Sequence, residues 1–198
     1  MKGTILGVGY ASITESVGAD GLITIKYGSV VWLNTKLSGG RQANFDPKGD
    51  VKEIWADGVV AYAAQHNSGY EGTVTILDLC DDVNKDWYGR EVTNDKYTIE
   101  YALTTEMPKF GLILLYEDTN KPEGISEVYP YCYVSDRPSI KGKTAEDGTM
   151  DFEYVENKIK AKPCPQKVNG KNIVMFLMPG NTRITEFPSV PTTASKVK

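Results

Sequence analysis

Short runs of apolar residues, separated by glycine, asparagine, aspartate and proline, recur along this chain of 198 residues. Such runs, about four to eight residues long and bounded by turn-forming residues, are typical of β-strands. The clearest are GTVTILDL from Gly72, KYTIEYAL from Lys96, FGLILLYE from Phe110 and NIVMFLM from Asn172. The pattern predicts a mainly β protein.

Two of these runs differ in how their apolar positions are spaced. In YTIEYAL the residues alternate, with Tyr97, Ile99 and Tyr101 set against Thr98, Glu100 and Ala102. Alternation puts the two sets on opposite faces, so this run predicts a strand with one face in water. The run GLILLY has no such polar positions. It predicts a central strand that is buried on both faces or paired across a subunit contact.

The segment LDLCDDVNKDWYGR departs from the strand rhythm and predicts one short helix. Asp78 can cap its N-terminus, two further aspartates lie in its first turn, and Gly89 follows its last turn. Leu79, Val83 and Trp87 recur at every fourth position, which places them on one stripe of the helix. We expect that stripe to pack against a sheet.

Three regions lack clear core periodicity and are predicted to be loops or arms: residues 11–27, 89–95 and 188–198. The last of these, PSVPTTASKVK, is rich in proline, threonine, serine and lysine. Few apolar side chains are available there to offset the entropy lost on ordering, so we expect a flexible C-terminal tail. Residues 1–187 are predicted to form a single domain.

The composition narrows the possible functions. A net charge of −4 argues against a protein that grips phosphate backbones, because such affinity comes from clustered lysine and arginine. Lys158, Lys160 and Lys162 form the one basic stretch, which is interpreted as a solvated strand edge. No apolar run is long enough to span a bilayer or to act as a signal segment, so a soluble, cytoplasmic chain is expected.

A Gly-Lys-Thr tripeptide, residues 142–144, is the ending of a nucleotide-binding P-loop. A P-loop also needs a glycine five positions before the second glycine, where this chain has Arg137. The segment TMDFEYV that follows alternates like a strand, although a P-loop requires a helix there. The tripeptide is therefore interpreted as a polar turn, and no nucleotide site is predicted.

Other candidate catalytic and metal-binding residues have no supporting pattern. His66, the only histidine, lies in the turn-like AQHNSGY with no nucleophile motif beside it, and is interpreted as a surface residue. The carboxylates of Glu146, Asp147, Asp151 and Glu153 lack the spacing of a calcium loop. No catalytic residue, cofactor site or metal site is predicted, and the chain is not expected to be an enzyme.

The cysteines give no indication of a zinc site or a disulfide framework. Cys80, Cys132 and Cys164 are odd in number and show no paired CxxC spacing. They are expected to be reduced and mostly buried.

An ordered set of features runs through the middle of the chain. It comprises a Gly-Tyr-Glu-Gly strand entry at residues 69–72, an acidic helix ahead of Gly89, a strand beginning near Phe110, a tyrosine-rich strand with Cys132, and Arg137-Pro138 leading to Gly-Lys-Thr and Glu-Asp. In this order and spacing they resemble the major tail protein of long-tailed bacteriophages, particularly those of Gram-positive hosts. The resemblance covers about residues 55–152 and, more weakly, the N-terminal GVGYASIT.

The resemblance implies a tail tube subunit. Such a subunit is a β-sandwich of two packed sheets with a flanking helix, and it assembles as hexameric rings that stack into a tube for the viral genome. It implies a virion protein assembled in the host cytoplasm, with DNA passing through the lumen without specific binding. The tape measure, tail terminator and distal tail proteins are the implied partners. Residues 11–27 and the C-terminal tail are expected to become ordered against neighbouring subunits.

A second reading from another class is a monomeric β-sandwich binding module of the adhesin or carbohydrate-binding type. It requires an exposed aromatic platform, for which Trp32, Trp55 and Trp87 are the candidates. Burial in the core is the simpler expectation for each of them.

Overall fold

A computed structural model describes residues 2–19, 21–57, 59–102, 107–139 and 154–189. The mainly β fold class predicted from the sequence is confirmed, with one short helix, α1 (Asp81–Tyr88), among the described residues. The strands are β1 (Lys2–Val17), β2 (Ile23–Tyr27), β3 (Val31–Trp32), β4 (Gly40–Lys48), β5 (Val51–Ala56), β6 (Val59–Gln65), β7 (Gly69–Ile76), β8 (Glu91–Val92), β9 (Thr98–Ile99), β10 (Phe110–Asp118), β11 (Lys121–Val134), β12 (Val155–Ala161), β13 (Lys167–Val168), β14 (Lys171–Asn172) and β15 (Phe176–Pro179).

Nine of these strands form one antiparallel sheet. Its main order is β2-β1-β10-β11-β12-β7-β4, with β3 paired to β1 and β15 paired to β11. The remaining strands form three two-stranded hairpins, β5–β6, β8–β9 and β13–β14.

The large sheet curls, so that β4 at one end approaches β1 near the other. A Cβ atom on Gly40 in β4 would overlap Cγ2 of Val8 in β1. The same part of β1 is also joined to the residue after β3, because the N–H of Leu33 donates to the carbonyl oxygen of Val8 at 3.0 Å. One face of the sheet therefore wraps around a single main core, an arrangement consistent with the predicted β-sandwich. Members of this core include Val8, Tyr10, Val74, Ile76, Trp87, Leu112, Leu114, Tyr129 and Ile159.

Strand β10 lies inside the sheet, between β1 and β11, and confirms the prediction of a strand buried on both faces. Leu112 and Leu114 face the main core, whereas Ile113 and Leu115 belong to a second, smaller cluster on the opposite face. All four side chains are fully buried or nearly so. The run has no polar position because neither face meets water.

The second cluster is covered by β3 and by the chain near residues 184–187. Two glycines, which have no side chain, leave room for the aromatic rings of this covering layer. Trp32 lies against Gly9 of β1, where a Cβ would come within 2.7 Å of Cε3 of the indole ring. Phe187 lies against Gly111 of β10 in the same manner. Side chains at either glycine would push the covering ring away from the sheet.

The predicted helix is present, and its packing stripe is confirmed. Val83 and Trp87 are fully buried in the main core, and Leu79 packs against it. Gly89 ends the helix in the left-handed conformation (φ 64°), and its N–H donates to the carbonyl of Lys85.

The prediction that Asp78 caps the helix is wrong. The N-cap residue is Cys80, and no side chain makes a capping hydrogen bond there. Asp78 lies two residues too early, and its Oδ1 accepts from the N–H of Leu79 at 2.8 Å instead.

The prediction of a loop or arm over residues 11–27 is wrong for residues 11–17 and 23–27, which are strands. The end of β1 pairs with β2, from Ile13 opposite Tyr27 to Val17 opposite Ile23. We call it the β1–β2 hairpin (residues 13–27, with Asp20 outside the described residues). Residues 89–95 also contain a strand, β8, so that prediction is wrong in part.

Two strand predictions need correction. The run from Lys96 contributes only β9, and Tyr97, Ile99 and Tyr101 are all exposed, so the expected buried face is absent from this run. The run from Asn172 is interrupted, since β14 ends at Asn172 and β15 begins at Phe176. Of the predicted C-terminal tail, all but Pro188 and Ser189 lies outside the described residues.

Candidate functional site

Of the residues first considered for catalysis or metal binding in this chain, His66 lies among the described residues. His66 is exposed in the loop after β6, and its backbone N–H donates to the carbonyl of Asp50 at 3.0 Å. The Gly-Lys-Thr tripeptide and all four of the carboxylates at positions 146, 147, 151 and 153 lie outside the described residues. Within the described ranges, no group of three or more histidine, cysteine, aspartate or glutamate side chains could hold a metal ion.

The three cysteines are free thiols in separate surroundings. Cys132 and Cys164 are buried, as predicted, whereas Cys80 is half-buried at the start of the helix. Burial raises the pKa of the Cys132 thiol far above its ordinary value, because the thiolate would lose its hydration. A thiol in that state is a poor nucleophile.

A polar face covers the outside of strands β12, β7 and β4. Lys160 lies opposite Glu71 across the β12–β7 pair, with Nζ and Oε1 3.0 Å apart. Lys158 reaches Asp136, with Nζ and Oδ2 2.9 Å apart. Hydrogen bonds from these lysines lower the pKa of both carboxyl groups.

This geometry corrects the reading of the lysine stretch as a strand edge. Strand β12 is an interior strand, paired with β11 on one side and β7 on the other. The lysines are solvated because they point outward from the sheet, and two of them are neutralised by neighbouring carboxylates.

Large apolar side chains are exposed on three peripheral segments. The β1–β2 hairpin exposes Val17, Leu22 and Ile23, and the β5–β6 hairpin exposes Val51, Val59 and Tyr62. The third segment, called the β8–β9 region, comprises residues 91–102 and 107, and it exposes Tyr97, Ile99, Tyr101 and Met107. Single exposed apolar residues are ordinary, but groups of them on projecting elements mark surfaces that a partner covers.

The β1–β2 hairpin is fixed at its root by a polar network. Oε2 of Glu15 accepts from Nζ of Lys109 at 2.6 Å, and Oε1 accepts from the hydroxyl of Tyr131 at 2.6 Å. Burial alone would raise the pKa of Glu15, but these two hydrogen bonds lower it below its ordinary value. Hydrogen bonds with Glu15 and with Tyr131 raise the pKa of Lys109 above its ordinary value. The hairpin is therefore tied to the residue before β10 and to β11 where it leaves the sheet.

The β8–β9 region is fixed by Arg90, which is almost fully buried after the helix. Its Nε donates to Oε2 of Glu100 at 2.8 Å, and its Nη1 donates to Oδ1 of Asn84 at 2.8 Å. Arg137 also contacts Glu100. Two arginines thus hold one carboxylate beside the exposed tyrosines of this region.

Two of the three tryptophans proposed for an aromatic platform have described side chains, and neither forms one. Trp87 is fully buried between Tyr10 and Phe110. Trp32 is half-buried, and its Nε1 donates to the carbonyl of Ile184 at 2.7 Å. The side chain of Trp55 lies outside the described residues. The expectation of core burial is thus confirmed for Trp87.

A cavity of about 400 Å³ lies at the base of the β1–β2 hairpin. Side chains of β2 form one wall, and the region of Cys164 to Phe176 and the chain at Phe187 form the others. Its lining is mostly apolar, with Ile25, Ile173 and Phe176 among its members.

The exposed hairpins and the cavity were missed by sequence reasoning, although signals for the hairpins were present. Ile13, Glu15 and Val17 alternate with a threonine and a serine, and Ile23, Ile25 and Tyr27 alternate with a threonine and a lysine. In β5–β6, the Asp-Gly dipeptide at residues 57–58 is a strong hairpin signal, and Asp57 has a positive φ of 52°.

No protein-family model matches the chain, and no curated protein sequence matches it either. Among the described residues there is also no helix with the length and apolar character needed to cross a membrane.

Proposed function

We propose that the chain is a structural subunit of a bacteriophage tail tube, which assembles as hexameric rings that stack into a conduit for the genome. The observation that carries this proposal is the exposure of large apolar side chains on three anchored peripheral segments. An assembling subunit has such surfaces because neighbouring copies cover them. The resemblance of about residues 55–152 to the major tail proteins of long-tailed bacteriophages supports a tail tube as the assembly.

The two ends of the large sheet favour association of copies. Among the described strands, β2 pairs only with β1, and β4 pairs only with β7. Each end therefore presents a row of backbone groups that a neighbouring strand can pair with. In a closed ring, head-to-tail contacts use different patches on the two sides of every subunit, and no copy is left with an open side.

The charge of the polar face suits a passage for DNA. A stripe of free lysines would bind phosphates and release counterions, which would retard a moving duplex. In β12 the ammonium groups of Lys158 and Lys160 are instead paired with Asp136 and Glu71. We assign this face to the lumen, where DNA passes without specific binding.

The proposed role is structural and not enzymatic. The subunit would be part of the virion tail after assembly in the host cytoplasm. Its partners would be other copies of itself and the tape measure, tail terminator and distal tail proteins, which define the length and the two ends of the tube.

The monomeric binding module receives no support from a specific observation. Trp87 is in the core and Trp32 is a covering residue of the second cluster, so neither supplies the aromatic platform which that function requires.

The test is the state of association of the purified protein. We expect rings or tubes by negative-stain microscopy and a matching mass by light scattering. The double variant Val17→Ser/Ile23→Ser should reduce assembly because it removes apolar surface from the β1–β2 hairpin. Leu37→Ser is the matched control, because Leu37 is 68% exposed but lies outside the three segments.

Two results would contradict the proposal. One is a wild-type chain that stays monomeric at high concentration even when preformed tail-tip complexes are added to initiate assembly. The other is a hairpin variant that assembles as well as the Leu37→Ser control.

A further inference from the structure

The β5–β6 hairpin and the β8–β9 region leave the large sheet at opposite ends of its strands. Strand β4 ends at Lys48, which lies opposite Gly69 at the start of β7, and the β5–β6 hairpin is inserted between these two residues. The helix and the β8–β9 region follow the other end of β7, at Ile76, and lead to Phe110 at the start of β10. The eight residues of β7 keep the two ends about 26 Å apart.

The β5–β6 hairpin continues the β4–β7 ladder beyond the sheet. The N–H and the hydroxyl of Ser68 both donate to the carbonyl of Lys48, at 2.7 and 2.9 Å. Strand β5 has six residues, which corresponds to a length of about 20 Å. Among the described strands, β5 and β6 pair only with each other. The hairpin is therefore a narrow arm, and it exposes Val51, Val59 and Tyr62.

The β8–β9 region is held to the sheet by its polar side. Nε of the almost fully buried Arg90 donates to Oε2 of Glu100 at 2.8 Å. Arg137, three residues after the end of β11, also contacts Glu100. Cys132 near the end of β11 lies opposite Phe110, the first residue of β10, so the region is fixed where β10 begins. We call this the α1 end of the sheet and the opposite one the β5–β6 end.

The other side of the β8–β9 region is apolar and exposed. Ile99 lies opposite Glu91 in the register, and the hydroxyl of Tyr101 donates to the Glu91 carboxylate, so these side chains share one face. Tyr97, two residues before Ile99, follows the same alternation. We call Tyr97, Ile99 and Tyr101 the tyrosine face. A surface strand ordinarily has its polar side in water and its apolar side on the core, and the reverse arrangement marks a surface that a partner covers.

The strand ends are the surfaces left for contacts along the tube. In the proposed ring, neighbouring copies meet at the two edges of the sheet, β2 and β4, and the polar face of β12, β7 and β4 lines the lumen. The two ends of the strands then point towards the rings on either side. The far end of the β1–β2 hairpin also lies at the α1 end, but the open edge of β2 belongs to the contact within the ring.

We propose that the β5–β6 hairpin of one copy packs against the tyrosine face of a copy in the next ring. This inference rests on the proposed function and names the partner of two of its three exposed segments. The contact joins two different surfaces, so it repeats in one direction without closing and produces an open stack with a defined polarity. Tyrosine rings packed against aliphatic side chains are typical of the centre of a protein interface.

The first experiment detects the contact by cross-linking. Ala63→Cys in β6 and Asp95→Cys after β8 are exposed positions that leave the apolar residues of both surfaces in place. The two variants are mixed in equal amounts, assembled with tail-tip complexes, and treated with a short bismaleimide. Stacking holds the two thiols at a high effective concentration, so covalent dimers should be at least about tenfold more abundant in the mixture than in either variant alone.

The wild-type chain gives the background of this experiment, since Cys132 and Cys164 are buried and Cys80 is half-buried. Peptide mass spectrometry identifies the linked positions. Dimers that join residue 63 of one copy to residue 95 of another are the expected product.

The second experiment removes one apolar side chain from each end. Tyr62→Ser and Tyr97→Ser should both give rings that do not stack, with the fraction of rings in stacks reduced at least about tenfold. Leu177→Ser is the matched control, because Leu177 is exposed on β15 opposite Glu127 in the middle of β11, away from both strand ends. Its fraction of stacked rings should equal that of the wild type by negative-stain microscopy.

Tubes formed without the mixed cross-link would overturn this inference and leave the tail tube proposal intact. So would dimers that form equally well within one cysteine variant, because like ends would then meet. Stacking lost in only one of the two serine variants contradicts the pairing as well. A wild-type chain that forms neither rings nor tubes contradicts the proposed function, and this inference with it.

Discussion

Strand β10 and the β1–β2 hairpin are both rich in apolar residues, yet they meet opposite environments. In β10 the main core covers one face, and the layer of β3 and residues 184–187 covers the other. In the hairpin, Ile25 is buried near the root, but Val17 at the far end is 71% exposed. The same side-chain chemistry stabilises the fold in the first case and remains available for contact with a partner in the second.

The difference shows that apolar content alone does not identify the core. What matters is whether another layer of the same chain reaches the residue. The hairpin extends past β10, so its end has no second layer from the described residues. Its exposed valine and isoleucine are expected to contribute little to the stability of a single chain, and under the proposed function neighbouring copies would cover them.

The sharpest test of this comparison uses one valine from each environment. Val74→Ala in β7 removes two methyl groups from a fully buried position, and we expect a loss of about 2–3 kcal/mol in the free energy of unfolding. Val17→Ala removes the same atoms from an exposed position, and a change within about 0.5 kcal/mol is expected. Urea unfolding followed by circular dichroism measures both.

Equal losses for the two valines would break the comparison, because the hairpin end would then be covered in solution. Measurement at low protein concentration is essential, since assembly would bury Val17 and add to its apparent contribution.

Two glycines in β1 provide a test of the layer, formed by β3 and residues 184–187, that covers the second cluster. Gly9→Ala places a methyl group against the Trp32 ring, and we expect a destabilisation of about 1–2 kcal/mol as the indole is displaced. Gly7→Ala, on the same face of the same strand, has its nearest neighbour at 3.4 Å, so the new methyl group fits. It should be neutral or slightly stabilising.

The readout for the glycines is thermal unfolding together with tryptophan fluorescence. The Gly9→Ala spectrum should shift to longer wavelength because Trp32 becomes more hydrated, whereas the Gly7→Ala spectrum should match the wild type. Identical spectra and stabilities would mean that the covering layer does not depend on close contact at Gly9.

Some parts of the fold could be predicted from short stretches of sequence. In these parts a single feature, such as the hydrophobicity or the spacing of the side chains, determines which secondary structure forms. The run GLILLY, residues 111–116, has no alternating polar positions, which predicted a strand buried on both faces or paired across a subunit contact. The helix was recognisable from the spacing of Val83 and Trp87 and from Gly89 at its end. These signals lie within about ten residues and need no knowledge of distant partners.

The surfaces were harder to predict because they depend on where the sheet ends. Residues 96–102 alternate like a strand with one buried face, but no layer from the described part of the chain covers that face, and Tyr97 and Tyr101 remain exposed. The lysines of β12 were read as an edge because their charge is typical of edges. Their neutralisation by Glu71 and Asp136, from β7 and from the loop after β11, could not be inferred without the pairing of strands.

The smallest expected effect concerns the root of the β1–β2 hairpin and depends on pH. Hydrogen bonds from Lys109 and Tyr131 hold the pKa of Glu15 below its ordinary value of 4.5. A lowered carboxyl pKa stabilises the fold above 4.5, and that contribution is lost as the pH falls through the folded-state value. Lys109 has a raised pKa, so its contribution is complete below 10.5 and is lost only at more alkaline pH.

Between these limits, Glu15→Gln should lower the free energy of unfolding by about 0.5–1 kcal/mol, a small value because solvent screens a pair that is partly exposed. Below pH 4.5 the difference from the wild type should shrink towards zero, since the wild-type carboxylate is then protonated as well. Glu117→Gln, at an exposed position of β10, is the control, and its free energy of unfolding should stay within about 0.5 kcal/mol of the wild type. A Glu15→Gln difference that stays constant down to strongly acidic pH would show that shape, and not charge, holds the hairpin to the sheet.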